Sequence, residues 1–322
     1  MKRLVRIVLV LGCVLHGPVP AAAETYPSRS IRMVVAYPAG GATDVIARAV
    51  SQRLSEALHN PVVIDNKGGA STQIGASFVV KAPPDGYTLL ATDQTTMVNA
   101  FLYSNLGYDP ATDLVPVTGL GVIHQALAVH PTFPLHGVAE LIAAARAAPG
   151  RFDYATLGIG STGHLSMAMF EHAAGVSLTP VHYKGGAPAL VDLIAGHVPM
   201  AFLSATLTAQ PAQAGQLRLL GVGSTRRLIQ FPAVPTVAES LPGYESSVWF
   251  GVFAPRGTPP EIVTTLNEAV QAVLIDPAFG ETFLTPNFYE PLLGSNERFA
   301  AYVRSDTAKW RRVVQDAHLS IN

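Results

Sequence analysis

The sequence predicts an α/β fold in two domains, on three observations. Apolar strand-like runs alternate with amphipathic helical runs along the chain, the pattern of strands covered by helices. One junction in each half has the form strand, glycine turn, helix: Tyr37-Pro38-Ala39-Gly40-Gly41-Ala42-Thr43-Asp44 and Gly158-Ile159-Gly160-Ser161-Thr162-Gly163-His164. The chain is also long enough for two cores, with 322 residues, or 299 once a leader of 23 is removed.

That leader reads Met1-Lys2-Arg3-Leu4-Val5-Arg6, then an apolar stretch to Leu15, then Ala21-Ala22-Ala23. A basic start, a short apolar middle and a small-residue site describe a secretory signal over 1–23, cleaved after Ala23. Cys13, the only cysteine, leaves with it; lipidation at Leu11-Gly12-Cys13 is the alternative. Strands are expected at 31–37, 61–66, 87–92, 122–130, 152–157, 178–182, 197–204, 217–224 and 247–254, and helices at 44–58, 75–82, 138–147, 161–174, 188–195, 260–276 and 296–317. Ile46, Val50, Leu54 and Leu58 give the first helix an apolar stripe, and Phe299, Val303, Trp310 and Val314 do so for the last. Pro188 suits the first position of a helix. The pattern changes near His124 and again near Trp249. Domain 1 is therefore expected over 24–123 plus 251–322 and domain 2 over 124–250, the layout of a hinged binding protein.

Without the leader's Lys2, Arg3 and Arg6, 18 basic residues face 22 acidic ones, a net of −4 with no basic block. That disfavours a nucleic-acid partner. The nine histidines beyond the leader are scattered, with no metal-ligand spacing, so neither a metal nor a cofactor is expected. Gly158, Gly160 and Gly163 match G-x-G-x-x-G, but no acidic residue follows at the distance a ribose partner needs; the chain reads Pro180-Val181-His182-Tyr183 there. Asp85, Asp93 and Asp109 read as turn or cap carboxylates.

The chemistry lies in the two glycine junctions. The first turn of a helix leaves backbone N–H groups without partners, and the helix dipole adds positive potential behind them, so each junction is an anion cradle. Ser161 is a candidate N-cap. Asp44 is favoured near a helix start by the dipole, or accepts from an amino group on a ligand. Lys184, in a third junction of this kind, either attracts an anion or is a solvated turn lysine. Thr92 and Ser204-Ala205-Thr206 stand at strand ends, where open α/β sheets bind ligands. Ser161 with His164 also leaves open an exported hydrolase, although Ile159 replaces the first glycine of G-x-S-x-G.

Many ordered runs resemble the substrate-binding receptors of tripartite tricarboxylate transporters, the Bug family. They include Pro38-Ala39-Gly40-Gly41 with Asp44 and Arg48, Val63-Ile64-Asp65-Asn66-Lys67, Ala82-Pro83-Pro84-Asp85-Gly86-Tyr87-Thr88-Leu89-Leu90 and Gly158-Ile159-Gly160-Ser161 with His164. Tyr183-Lys184-Gly185-Gly186-Ala187-Pro188 and Val234-Pro235-Thr236-Val237-Ala238-Glu239 continue the series. The resemblance implies a type II periplasmic-binding-protein fold, with two α/β domains closing on a small mono- or dicarboxylate. It implies a monomeric, non-enzymatic periplasmic receptor that delivers its ligand to membrane permease subunits; presenting the ligand to a sensor kinase is the alternative. Positions 39–44 and 160–164 would hold one carboxylate. The chain departs from the family at Tyr37, where phenylalanine is usual, at Gly68-Gly69-Ala70-Ser71-Thr72-Gln73, in place of a glycine-rich turn, and at Asn287-Phe288, where glycine is expected.

Overall fold

The computed structural model describes residues 26–316; the leader and Cys13 lie outside them. A nine-stranded mixed sheet runs through both lobes. In the first lobe β1 (Ile31–Val35) lies between β2 (Val62–Asn66) and β3 (Thr88–Asp93), all parallel, and β9 (Ser247–Pro255) runs antiparallel to β3. The long β4 (Leu114–Val129) then belongs to both lobes. From Leu114 to His124 it pairs with β9, and from Gln125 to Val129 with β7 (Met200–Ser204). On its other side, β8 (Arg218–Val222) takes the place that β9 leaves. The second lobe is completed by β5 (Asp153–Thr156), parallel to β6 (Thr179–His182) and bridged to β7. The pairing changes hands at His124/Gln125 and Ser246/Ser247, where Gly223, Gln125 and Ser246 exchange backbone hydrogen bonds.

Among the described residues eleven α-helices cover these strands: α1 (Ala42–Ala57), α2 (Gln73–Val80), α3 (Thr95–Leu102), α4 (Pro110–Asp113), α5 (Val138–Ala147), α6 (Thr162–Ala174), α7 (Gly186–Ala195), α8 (Ala205–Gln213), α9 (Pro260–Leu274), α10 (Pro277–Phe279) and α11 (Asn296–Asp316). Alternation along the strands divides the core. Ile31, Met33 and Val35 join α1 and α9 on one face, while Val34 and Ala36 join α2, α3 and α11 on the other. In the second lobe Leu127 and Val129 face α5 and α6, and Ala128 faces α7. A cluster of Val98, Leu102, Leu165, Trp310 and Val314 ties α3 and α11 of the first lobe to α6 of the second.

All nine expected strands are present, with shifted ends; β4 begins eight residues earlier than 122, because a strand shared by two lobes must cross both. Pro188 is the third residue of α7, still within the turn whose N–H groups need no helical acceptor. Besides the one-turn helices α4 and α10, helices α3 and α8 were not expected. Threonines crowd the first, and Pro211 interrupts the pattern of the second.

Candidate functional site

The two glycine turns are built alike. β1 and β5 each end beside a parallel neighbour, with Val35 opposite Asn66 and Thr156 opposite His182. A glycine with left-handed backbone follows, Gly40 at φ 88° and Gly160 at φ 72°, and a helix starts directly after. Only glycine adopts that conformation without steric cost. In each turn this glycine donates its N–H to the side chain four residues on: Gly40 to Asp44 Oδ2 at 2.9 Å, and Gly160 to His164 Nδ1 at 3.1 Å. Each brace fixes the start of its helix.

The braces differ in charge. Asp44 is 2 % exposed and also accepts from Arg48 Nε at 2.9 Å and Asn66 Nδ2 at 2.8 Å. Arg48 in turn donates to Asn66 Oδ1, and Asn66 to the Tyr37 carbonyl. Burial pushes the Asp44 carboxyl up, but bonds from Arg48, Gly40 and Asn66 outweigh it and hold the group below the usual carboxylate range. His164 is 5 % exposed and packs edge-on against His182, ring centres 5.3 Å apart. Burial, with the nearby His182, pushes its imidazole from 6.5 down to about 4. It is therefore neutral near pH 7, accepting through Nδ1 and carrying its proton on Nε2.

Asp44 thus stands at the helix start, as the dipole argument expected, with its oxygens engaged by the protein itself. The backbone amides are the groups left to meet an anion. At α1 the cap position is Gly41, which makes no side-chain bond. Ala39, Gly40, Gly41 and Ala42 are exposed, while Thr43 is buried. At α6 Ser161 is the N-cap and accepts the His164 N–H at 3.4 Å, leaving Thr162 and Gly163 ahead of it in the first turn. Gly163 is buried against β7, where a Cβ would lie 2.5 Å from the Phe202 carbonyl oxygen.

Several expected site residues have other duties. Tyr37 does not offer its hydroxyl to the turn: it donates to both oxygens of Asp93 at 2.8 Å. Thr92 is 0 % exposed and bonded to Thr96 at 2.6 Å, with β9 and α3 packed over the end of β3. Ser204 caps α8 through the Leu207 N–H, Ala205 is buried, and exposed Thr206 donates to the Asn287 carbonyl across the lobes. In the same segment Tyr289 donates to the Ala42 carbonyl, linking that crossing to the first turn. Asp85 and Asp109 are the turn and cap carboxylates expected, accepting from Tyr87 and Ala111. Lys184 is exposed. Ser161 Oγ and the His164 ring do not bond to each other: each takes a backbone N–H instead.

Sequence reasoning missed the glycine braces, although their signal is plain afterwards: a glycine four residues before a polar acceptor, in both halves. It also missed a buried polar group at the end of β3, formed by Thr72, Gln94, Thr96 and Asn99 with Thr92.

The profile of the tripartite tricarboxylate transporter family receptor matches residues 46–319. Protein BugT of Bordetella pertussis is 34% identical over 319 residues, 98% of each chain. A protein encoded between tcbD and tcbE in Pseudomonas sp. is 37% identical over 301 residues, covering 93% of this chain and 89% of its own. Among solved structures, R. palustris Rpa4515 with adipate superposes with a TM-score of 0.82 at 39% identity, over 92% of this chain and 99% of its own. MatC from Rhodopseudomonas palustris with bound malate gives 0.77 at 29% identity, over 90% and 100%. These relatives are solute-binding receptors of the type II periplasmic-binding-protein fold rather than enzymes, which removes the hydrolase alternative. With its paired turns and shared β4, the chain belongs to the tripartite tricarboxylate transporter receptor family.

Proposed function

We propose that this chain is an exported periplasmic receptor that clamps one carboxylate of a small acid between its two glycine turns. The supporting observation is the twin brace, Gly40 on Asp44 and Gly160 on His164, which presents two helix starts in the same form. On this reading the turns 39–43 and 160–163 contact the carboxylate through the backbone amides of their helix starts and small hydroxyls, while Asp44 and His164 hold the turns in place by taking the Gly40 and Gly160 N–H groups. Thr206, at the lobe crossing, borders the same space. The relatives crystallised with adipate and malate favour an acid as ligand.

Domain 1 is assigned 24–123 plus 251–322, and domain 2 124–250. The change of strand pairing at His124/Gln125 and Ser246/Ser247 supports a hinge at these crossings. Ligand would favour a closed form, because only closure lets both turns reach one anion. The closed receptor, acting as a monomer, would be recognised by the permease subunits of a tripartite transporter.

Thermal denaturation of the mature protein with a panel of short carboxylates tests the reading. An acid at a hundredfold excess over its dissociation constant should add about 2.7 kcal/mol of stability. A folded protein that no acid stabilises would refute it. Capture of permease subunits from membranes should require the same acid.

A further inference from the structure

At the end of β3 lies a buried polar cluster that the anion clamp leaves unused. Thr72, Thr92, Gln94, Thr96 and Asn99 are each no more than 1% exposed. Hydroxyl bonds join Thr92 to Thr96 and Thr96 to Thr72, and Asn99 donates to the Ser71 carbonyl and to Thr72. Three buried atoms of this cluster have no hydrogen-bond partner among the described residues: Gln94 Nε2, Gln94 Oε1 and Asn99 Oδ1. A buried polar group without a partner is costly, about 1–3 kcal/mol each, and rare in native proteins.

Neighbouring residues connect the cluster to both turns. Gln94 follows Asp93, which the Tyr37 hydroxyl grips from the first turn. Thr72 ends a bend whose first residue, Gly68, sits against Pro38: a Cβ there would be 2.6 Å from the proline ring. From Gly69 to Thr72 that bend is left-handed throughout, with φ of 127°, 45°, 50° and 76°. Non-glycine residues hold such backbone only when their surroundings force it, and such strain gathers at ligand sites. On the other side, Val98 and Leu102 of α3 pack with Leu165, the residue after His164.

The unpartnered atoms define what would satisfy them. Gln94 offers one donor and one acceptor, and Asn99 a second acceptor whose orientation is fixed by its bonds to Ser71 and Thr72. An ionised carboxylate brings only acceptors, so it would leave both carbonyl oxygens unpaired. A hydroxyl or carboxamide brings donor and acceptor together.

We infer that Gln94 and Asn99 read the far end of the bound acid, and that this end is a hydroxyl or carboxamide, not a second carboxylate. The inference rests on the receptor reading above. Calorimetry on the mature protein tests it with succinate, glutarate and adipate, their monoamides, the matching ω-hydroxy acids, and butanoate, pentanoate and hexanoate. At the length that fits, a monoamide or hydroxy acid should bind at least about tenfold tighter than the diacid or the plain acid. Gln94→Leu should abolish that preference; Gln94→Met serves if the leucine variant does not fold. A diacid that binds as tightly as its monoamide, or a preference that survives both variants, overturns the inference alone. If none of these acids binds at all, the receptor reading falls and the inference with it.

Discussion

The two glycine turns share one geometry and differ in how it is neutralised. In the first, the brace is a carboxylate, with Arg48 one helical turn on and Asn66 on the neighbouring strand end. In the second, the brace is an imidazole; Ala168 occupies the place of Arg48, and His182 that of Asn66. An anionic brace at a buried site needs a countercharge, and Arg48 supplies it. A neutral brace needs none, and burial keeps His164 neutral. Neither turn therefore sets an uncompensated negative charge against an incoming carboxylate. The difference also explains Asp44, which looked out of place in an anion site: it orients the Gly40 amide and is itself neutralised.

Transplanting the first brace into the second turn should be the most damaging change. His164→Asp keeps an acceptor near the Gly160 N–H but buries a carboxylate with no arginine beside it. A loss of about 3 kcal/mol near pH 8 is expected, relieved on acidification as the carboxyl takes a proton. Urea unfolding at the two pH values checks it; an unperturbed variant would show that the turns are interchangeable. Asp44→Ala leaves the Gly40 amide, Asn66 and the half-exposed Arg48 without their shared acceptor, and should cost about 2–3 kcal/mol in the same assay.

The pH dependence separates the braces more gently. The folded-state pKa of His164 is depressed to about 4 from 6.5, so the unfolded chain binds the proton first. Stability from this group is full above about pH 6.5, is lost progressively as pH falls, and has gone near pH 4. His164→Asn retains an acceptor without titrating, so its stability profile should be flatter across that window; an unchanged profile would assign the slope to other groups. The smallest effect concerns the caps. Ser161→Ala should cost about 1 kcal/mol, since α6 has a side-chain cap, whereas α1 begins at Gly41 without one.

Much of this was legible in the sequence. Strand positions followed from apolar alternation, and both turns from their glycines, because those signals are local. The side-chain partners were not legible, because they come from tertiary neighbours. β3 brings Asp93 under the Tyr37 hydroxyl, and α3 and β9 pack over Thr92. Two departures from the family pattern have a shared structural meaning. Phe288, where glycine was expected, has φ 63°, and Ala70, Ser71 and Thr72 are left-handed as well. Phe288 is held there by stacking on Phe231, ring centres 5.5 Å apart, and the bend by Asn99 and Thr96. Sequence showed the missing glycines but not the contacts that replace them.

The account stands or falls on the backbone amides. Proline is tolerated at the first position of a helix, and it removes the N–H. Ala42 and Thr162 hold that position in α1 and α6, and the preceding Gly41 (φ −78°, ψ 167°) and Ser161 (φ −64°, ψ 158°) are already extended, as a following proline requires. Calorimetric titration of an acid that binds the wild type should show Ala42→Pro and Thr162→Pro each weakened roughly tenfold or more, with melting temperatures nearly unchanged. Undiminished affinity in either folded variant would contradict a clamp made by both turns.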